Sequence, residues 1–255
     1  MNENFSANPA SGTRQAEPKP ISRPAYAPQI DVGGLTALSA TDYPGMLAAV
    51  VFCQGCPWRC GYCQNPHLMA RRSAHPVSWR EVRAFLRRRR DLLDAVVFSG
   101  GEPTLQRGLL AAVKEVKEMG FLVGLHTGGA YPYRLAQLLP YLDWVGMDIK
   151  AGFADYDRIT IAAGSGEHAK KSAQLLLDSG VAHEFRTTVH PLLISHHKLN
   201  LLAEELAQLG VKHYVLQQFR TKGCANPDLV KGAEQKLPDD LCAAVGARFE
   251  HFTVR

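Results

Sequence analysis

Three cysteines stand in a C-x3-C-x2-C arrangement within CPWRCGYC, at positions 56, 60 and 63, and a fourth, Cys53, lies three residues upstream. Thiols at that density can pair as disulfides, close a shell round a structural zinc ion, or hold a metal centre left one protein ligand short. Structural zinc takes four protein donors, usually as two C-x2-C pairs well apart in sequence. Here all four cysteines fall within eleven residues. Cys53 also ends the apolar run LAAVVFC, where a free cysteine behaves as a small buried hydrophobe. That leaves Cys56, Cys60 and Cys63 on one loop. Three thiolates on a 4Fe-4S cubane leave one iron without a protein ligand, a position a substrate can take. The same rule holds for catalytic zinc, where an incomplete shell is a reaction site.

Further along, SGGEP (Ser99 to Pro103) offers two adjacent glycines, Gly100 and Gly101, whose missing side chains let backbone approach a ligand, with Glu102 as a charge-assisted partner. Asp148 and Lys150 in DIK are i and i+2 on a strand and so share a face. Two charges directed inward are costly unless they meet a ligand or each other. Arg186 in EFRTTV faces the same problem; it could grip a carboxylate bidentately, or pair with Asp148 or Glu184. Gln217 and Gln218 are weaker candidates, one of which should face core helices; Gln218 is carried forward.

These residues need elements to place them, and the pattern alternates. LAAVVF (47–52) reads as a strand, followed by the cysteine loop and a helix over 78–93 whose SWRE start is a capping box. DAVVFSG from Asp94 is a second strand, 105–119 a helix stopped by Gly120, FLVGLHT a third strand and 134–139 a short helix. DWVGMDIK is a fourth strand, 167–179 a helix, AHEFRTTV a fifth strand, 199–209 a helix, KHYVLQQF a sixth strand and 239–249 a closing helix. Six strand-then-helix units demand right-handed crossovers and a parallel sheet, as an open doubly wound sheet or a curved partial barrel. In both, ligands bind at the C-terminal ends of the strands, where CQGC, SGGEP, HTGG and DIK all fall.

The 255 residues suit a single domain over 31–255, with 46% hydrophobic and 21% charged residues, ample for a core. Residues 1–30 hold five prolines among small and polar residues and read as a flexible tail. The net charge of +5 is concentrated: residues 71–90 carry eight arginines against the single acid Glu81. Arg80, Arg83, Arg87 and Arg90 follow helical spacing opposite Val82, Phe85, Leu86 and Leu93, which reads as a solvated face or a docking face for an acidic carrier. No aromatic interleaving or groove-reading motif accompanies them, so nucleic acid is not expected. The longest apolar stretch, MLAAVVFC, is too short to cross a bilayer, and the N-terminus lacks the basic start and apolar core of a secretion signal. A cytoplasmic location follows as an expectation, and in that reducing compartment six cysteines argue for metal binding rather than disulfides.

At this point the chain resembles the radical S-adenosylmethionine superfamily, whose hallmark is C-x3-C-x2-C with an aromatic before the last cysteine, here Tyr62. TDYPGMLAAVVFCQGCPWRCGYCQNPHL is similar to the activating proteins of anaerobic ribonucleoside-triphosphate reductase and, more broadly, to glycyl-radical-enzyme activases; the resemblance runs from Gly34 to Gly223. It implies a partial six-stranded (β/α)6 barrel, a 4Fe-4S cluster on Cys56, Cys60 and Cys63, and S-adenosylmethionine as second cofactor. It implies cofactor contacts from Tyr62, Gly100, Gly101, Glu102, His126, Thr127, Asp148, Lys150, Arg186 and Gln218. The partners would be a large glycyl-radical enzyme and a low-potential donor such as flavodoxin or ferredoxin. HTGG (His126 to Gly129) departs from the family's D-T-N-G, in which the aspartate of some relatives helps hold a monovalent cation. A protonated His126 in place of that cation is the expectation here. A small-molecule substrate, another glycyl-radical enzyme, an iron–sulfur electron carrier and a zinc-bound scaffold are the rival readings.

Overall fold

The computed structural model describes residues 30–232 and 236–255. The tail expected over residues 1–30 lies outside the described residues except for Ile30, which is buried.

Among the described residues eight strands form one sheet in chain order, β1 (Val32–Ser39), β2 (Ala48–Cys53), β3 (Ala95–Gly100), β4 (Leu122–Thr127), β5 (Trp144–Asp148), β6 (Ala182–Val189), β7 (His213–Gln218) and β8 (His251–Val254). β1 runs antiparallel to β2 and every later pair is parallel; β1 and β8 do not pair, so the sheet curves without closing. The helices are α1 (Trp79–Arg88), α2 (Leu109–Glu118), α3 (Pro132–Leu138), α4 (Tyr156–Thr160), α5 (Ser165–Asp178), α6 (His196–Leu209), α7 (Pro227–Lys231) and α8 (Asp239–Gly246).

The six expected strands are β2 to β7, which make up the partial barrel, and the sheet carries one further strand at each edge, β1 and β8. β1 escapes sequence reading because VGGLTALS opens on two glycines and its pairing with β2 slips register twice, so no clean alternation shows. β8 is only four residues long, HFTV, and mostly exposed. The SWRE capping box forms as read, with the Ser78 side chain accepting from Glu81 N and the Glu81 side chain accepting from Ser78 N.

Two apolar layers result from the alternation of side chains across the sheet. Val51, Phe98, Val123, Leu125, Met147 and Phe185 point outward into the main core beneath the helices. Val50, Val97 and Trp144 point inward and, with Tyr43 from the β1–β2 turn, fill the lower interior. Tyr43 and Trp144 rings lie 5.3 Å apart, so the DYPG turn packs into the base of the barrel, beneath the cavity at the C-terminal ends of the strands.

Candidate functional site

The cysteine loop leaves β2 and is anchored by backbone bonds from Gly55 N to Leu68 O, Cys56 N to Met69 O and Arg59 N to Thr160 O. Arg59 Nη1 also donates to Cys56 O and Trp58 O. This brings Cys56, Cys60 and Cys63, each half-buried, onto the wall of a cavity of about 310 Å3 at the C-terminal ends of the strands. Cys53 is wholly buried in the core and does not line the cavity. Burial, with Glu102 adding to it, pushes the Cys56 thiol up to about 12, and burial raises Cys60 against the pull of Lys150. Such thiols ionise on binding metal. Among the described residues no three His, Cys, Asp or Glu side chains close on a single ion. Three thiols from one loop facing one cavity are the donor set that a 4Fe-4S cluster with one iron left open would take.

SGGEP follows β3. Gly100 has φ +124, and a Cβ there would stand 2.3 Å from Cys53 O; one on Gly101 would stand 2.3 Å from Gly55 O. The glycines are therefore required by the close approach of the two loops as well as by any ligand. Glu102 corrects its expected role. Its buried carboxylate already accepts from Thr104 N (3.1 Å), Thr104 Oγ1 (2.6 Å), Thr127 Oγ1 (2.7 Å) and Gly128 N (2.8 Å). It ties the end of β3 to the end of β4 and holds Thr127 and Gly128 in place, rather than offering a bare charge.

His126 corrects the expectation of a protonated imidazole. Nε2 lies 2.8 Å from Asp42 O and Nδ1 lies 3.3 Å from Ser99 Oγ, partners that a neutral ring satisfies with one donor and one acceptor. Burial first, then the Arg186 guanidinium, lowers its pKa to about 4, with Asp148 and Asp42 opposing. The positive charge facing the cavity comes from Lys150 and Arg186 instead. Lys150 Nζ reaches Asp148 Oδ2 at 2.9 Å and Arg186 Nε reaches Asp148 Oδ1 at 2.8 Å. Two cations thus share one carboxylate, so this trio carries a charge of +1 on the cavity wall, which Asp42 and Glu102 also line. Lys150 Nζ also lies 5.9 Å from the centre of the Tyr62 ring. Tyr62 Oη is buried without a hydrogen-bond partner among the described residues, on this same cavity wall, an orphan that a bound ligand would satisfy.

Gln218 is the remaining correction. On β7, Tyr214 and Leu216 pack outward into the main core, and Gln218 shares their parity; Gln217 alternates to the inside and lines the cavity. Trp58, Asp42 and Thr188 also line it and were not among the sequence candidates. Trp58 had a signal, an aromatic inside the cysteine loop; it fills the space against Gly128, where a Cβ would stand 2.3 Å from its ring. The arginine stripe divides: Arg83 pairs with Glu115 of α2 at 2.8 Å, and Arg80, Arg87 and Arg90 are exposed.

An unclosed ring of parallel β/α units with a three-thiol cavity at its mouth defines a partial-barrel protein organised round an iron–sulfur centre. Residues 50–214 match the Radical SAM superfamily, and the chain belongs to that superfamily, whose cofactors are a 4Fe-4S cluster and S-adenosylmethionine. The chain is 30% identical over 209 residues to "Putative glycyl-radical enzyme activating enzyme MJ1227" of Methanocaldococcus jannaschii, covering 78% of this chain and 84% of that one. It is 32% identical over 124 residues to the pyruvate formate-lyase-activating enzyme of Clostridium pasteurianum, 47% of this chain and 52% of that one. The crystal structure of Streptococcus suis SuiB bound to S-adenosylmethionine superposes with a TM-score of 0.60 at 13% identity, over 79% of this chain and 48% of that one, a likeness of fold. Among the described residues no helix is long and apolar enough to cross a membrane.

Proposed function

We propose that this protein is an activase that cleaves S-adenosylmethionine reductively and generates a glycyl radical on a large partner enzyme, anaerobic ribonucleoside-triphosphate reductase. The observation that carries the reading is the set of three thiols on one cavity wall with Cys53 turned away into the core. The activase names of two relatives support it, as does the TDYPG…CQNPHL segment for the choice of partner.

Cys56, Cys60 and Cys63 would hold the cluster. When bound, the cluster and S-adenosylmethionine would supply one-electron reductive cleavage of the sulfonium C–S bond and, with it, the power to remove a hydrogen atom from the partner's glycine Cα. The chain's own residues do the rest. Lys150 and Arg186 would present positive charge to the cofactor's carboxylate, and Asp148 holds both cations in place. The β3 and β4 ends, fixed together by Glu102, would offer backbone at Gly100, Gly101 and Thr127 to the cofactor. Tyr62 would donate its orphan hydroxyl. Reduced flavodoxin or ferredoxin would supply the electron.

The test is anaerobic reconstitution with iron and sulfide, reduction with dithionite and addition of S-adenosylmethionine. Formation of 5'-deoxyadenosine is expected, and a glycyl doublet in the electron paramagnetic resonance spectrum once the reductase is added. 5'-Deoxyadenosine without that doublet would move the assignment to another glycyl-radical enzyme or a small-molecule substrate; none at all would leave an electron carrier or a scaffold.

A further inference from the structure

A second cleft, of about 730 Å3, opens behind the cysteine loop and shares no lining residue with the candidate site. Its wall carries Arg71, Arg107 and Arg134, with Asp31 as the one acid. None of these arginines has an ion-pair partner among the described residues. Arg134 is half-buried and fixed: Nη1 donates to Thr104 O at 2.9 Å and to Leu105 O, and the guanidinium lies 4.8 Å from the Tyr131 ring centre. Arg71 and Arg107 are exposed at the rim. α2 begins at this wall, at Gly108, with no side-chain cap and no acid in its first turn, so its positive end adds to the field.

The cleft is also close to the thiols. Gln54 belongs to its wall and Cys56 to the wall of the site, with only Gly55 between them in the chain. Gly55 is packed so closely that a Cβ would stand 2.7 Å from Leu105 Cδ2 and 3.8 Å from Arg71 Cα.

We propose that this arginine cleft is the docking surface for an acidic one-electron carrier, which reaches the cluster from behind while the mouth of the barrel stays free for the partner polypeptide. The proposal rests on the activase reading. One electron leaves the reduced carrier and is gained at the cluster; no bond is made or broken and no proton moves. Unpaired cations gathered at a concave surface speed association with an acidic protein by about ten- to a thousandfold, and the gain falls steeply with salt. Two faces also remove a conflict, since a carrier at the mouth would have to leave before the substrate loop could enter.

The experiment uses the reconstituted protein and flavodoxin, with two readouts: affinity for the carrier from flavin fluorescence, and the rate at which flavodoxin hydroquinone bleaches the cluster absorbance. Against wild type, the Arg71→Glu/Arg107→Glu variant should lose about tenfold or more in both at low salt and show a flatter salt dependence. Reduction by photoreduced deazaflavin, which is uncharged, should be unchanged. Should the double variant fold poorly, Arg71→Gln and Arg107→Gln singly give the same comparison with smaller losses. Equal affinity and rate in wild type and variant would overturn the proposal, as would a parallel loss with deazaflavin. Tight binding of inorganic pyrophosphate in the cleft without inhibition of flavodoxin would overturn it too, in favour of a small-anion site. If wild type bleaches but forms no 5'-deoxyadenosine with either reductant, the activase reading fails while these readouts still decide the docking surface.

Discussion

Arg186 Nε donates to Asp148 Oδ1 at 2.8 Å across β5 and β6, whose register places Asp148 directly beside Arg186. The same carboxylate takes Lys150 Nζ at 2.9 Å on its other oxygen. Burial alone would raise the Asp148 carboxyl, but Arg186 and Lys150 together hold it well below the usual carboxylate range. For Lys150, burial opposes the charge and Asp148 more than offsets it, so the amine stays protonated. The three form a unit that is preset for an anion and remains paired without one.

Asp148→Asn should therefore do two things. Two cations lose their shared counter-charge, and with Asp148 a third exposed the cost is about 2 kcal/mol, below that of a fully buried pair. Freed from Asp148, Lys150 and Arg186 also lose their fixed aim, and the KM for S-adenosylmethionine should rise by about tenfold while the cluster still loads. Urea unfolding and the rate of 5'-deoxyadenosine formation read the two effects separately.

His126 gives a pH signature. Its folded pKa, about 4, lies below the ordinary histidine value, so between them the unfolded chain binds a proton that the folded chain does not. Stability contributed by the neutral ring is complete above about pH 6.5 and is lost as pH falls toward 4, with a slope of about 1.4 kcal/mol per pH unit. Urea titrations at pH 7 and pH 5 should show this loss in wild type and less of it in His126→Gln. S-Adenosylmethionine affinity, set by Lys150 and Arg186, should stay level between pH 5.5 and 8, a window that brackets the usual histidine titration.

Much of this arrangement was legible before the fold was known, and the rest failed for identifiable reasons. β2 to β7 announced themselves because buried parallel strands read as continuous apolar runs, and the three thiols because Cys53 ends such a run while they lie on the loop beyond it. β1 and β8 lacked that signal, since an edge strand with glycines or four exposed residues buries too little to leave a pattern. Gln217 and Gln218 are chemically identical neighbours, so only the parity of β7 could choose between them. Glu102 looked like a ligand because its type suits one; that Thr104, Thr127 and Gly128 converge on it depends on the meeting of two loops about 25 residues apart. Composition carries no trace of that meeting.

Trp58 and Gly128 are complementary, since any Cβ at 128 would strike the indole at 2.3 Å. Gly128→Asn, the residue the activase pattern carries there, should destabilise the protein by about 1–3 kcal/mol through overpacking. Adding Trp58→Leu should recover part of that loss. A double-mutant cycle by thermal unfolding checks it: additive losses would show that the two residues do not compete for one space.

The four cysteines should divide three to one. Cys56→Ala, Cys60→Ala and Cys63→Ala each remove a thiol from the cavity wall, and each should abolish 5'-deoxyadenosine formation while leaving the fold intact, since all three side chains are only half-buried. Cys53→Ala removes a sulfur from packed core, which should cost about 1 kcal/mol as a small cavity and leave iron content and product formation unchanged. Burial pushes its thiol pKa far up, so it resists ionisation to a thiolate ligand. Iron and sulfide content with 5'-deoxyadenosine yield, measured on all four variants, decides between a cluster held by three thiolates with one iron uncapped and a closed four-thiolate centre, because only the closed centre would lose its metal with Cys53.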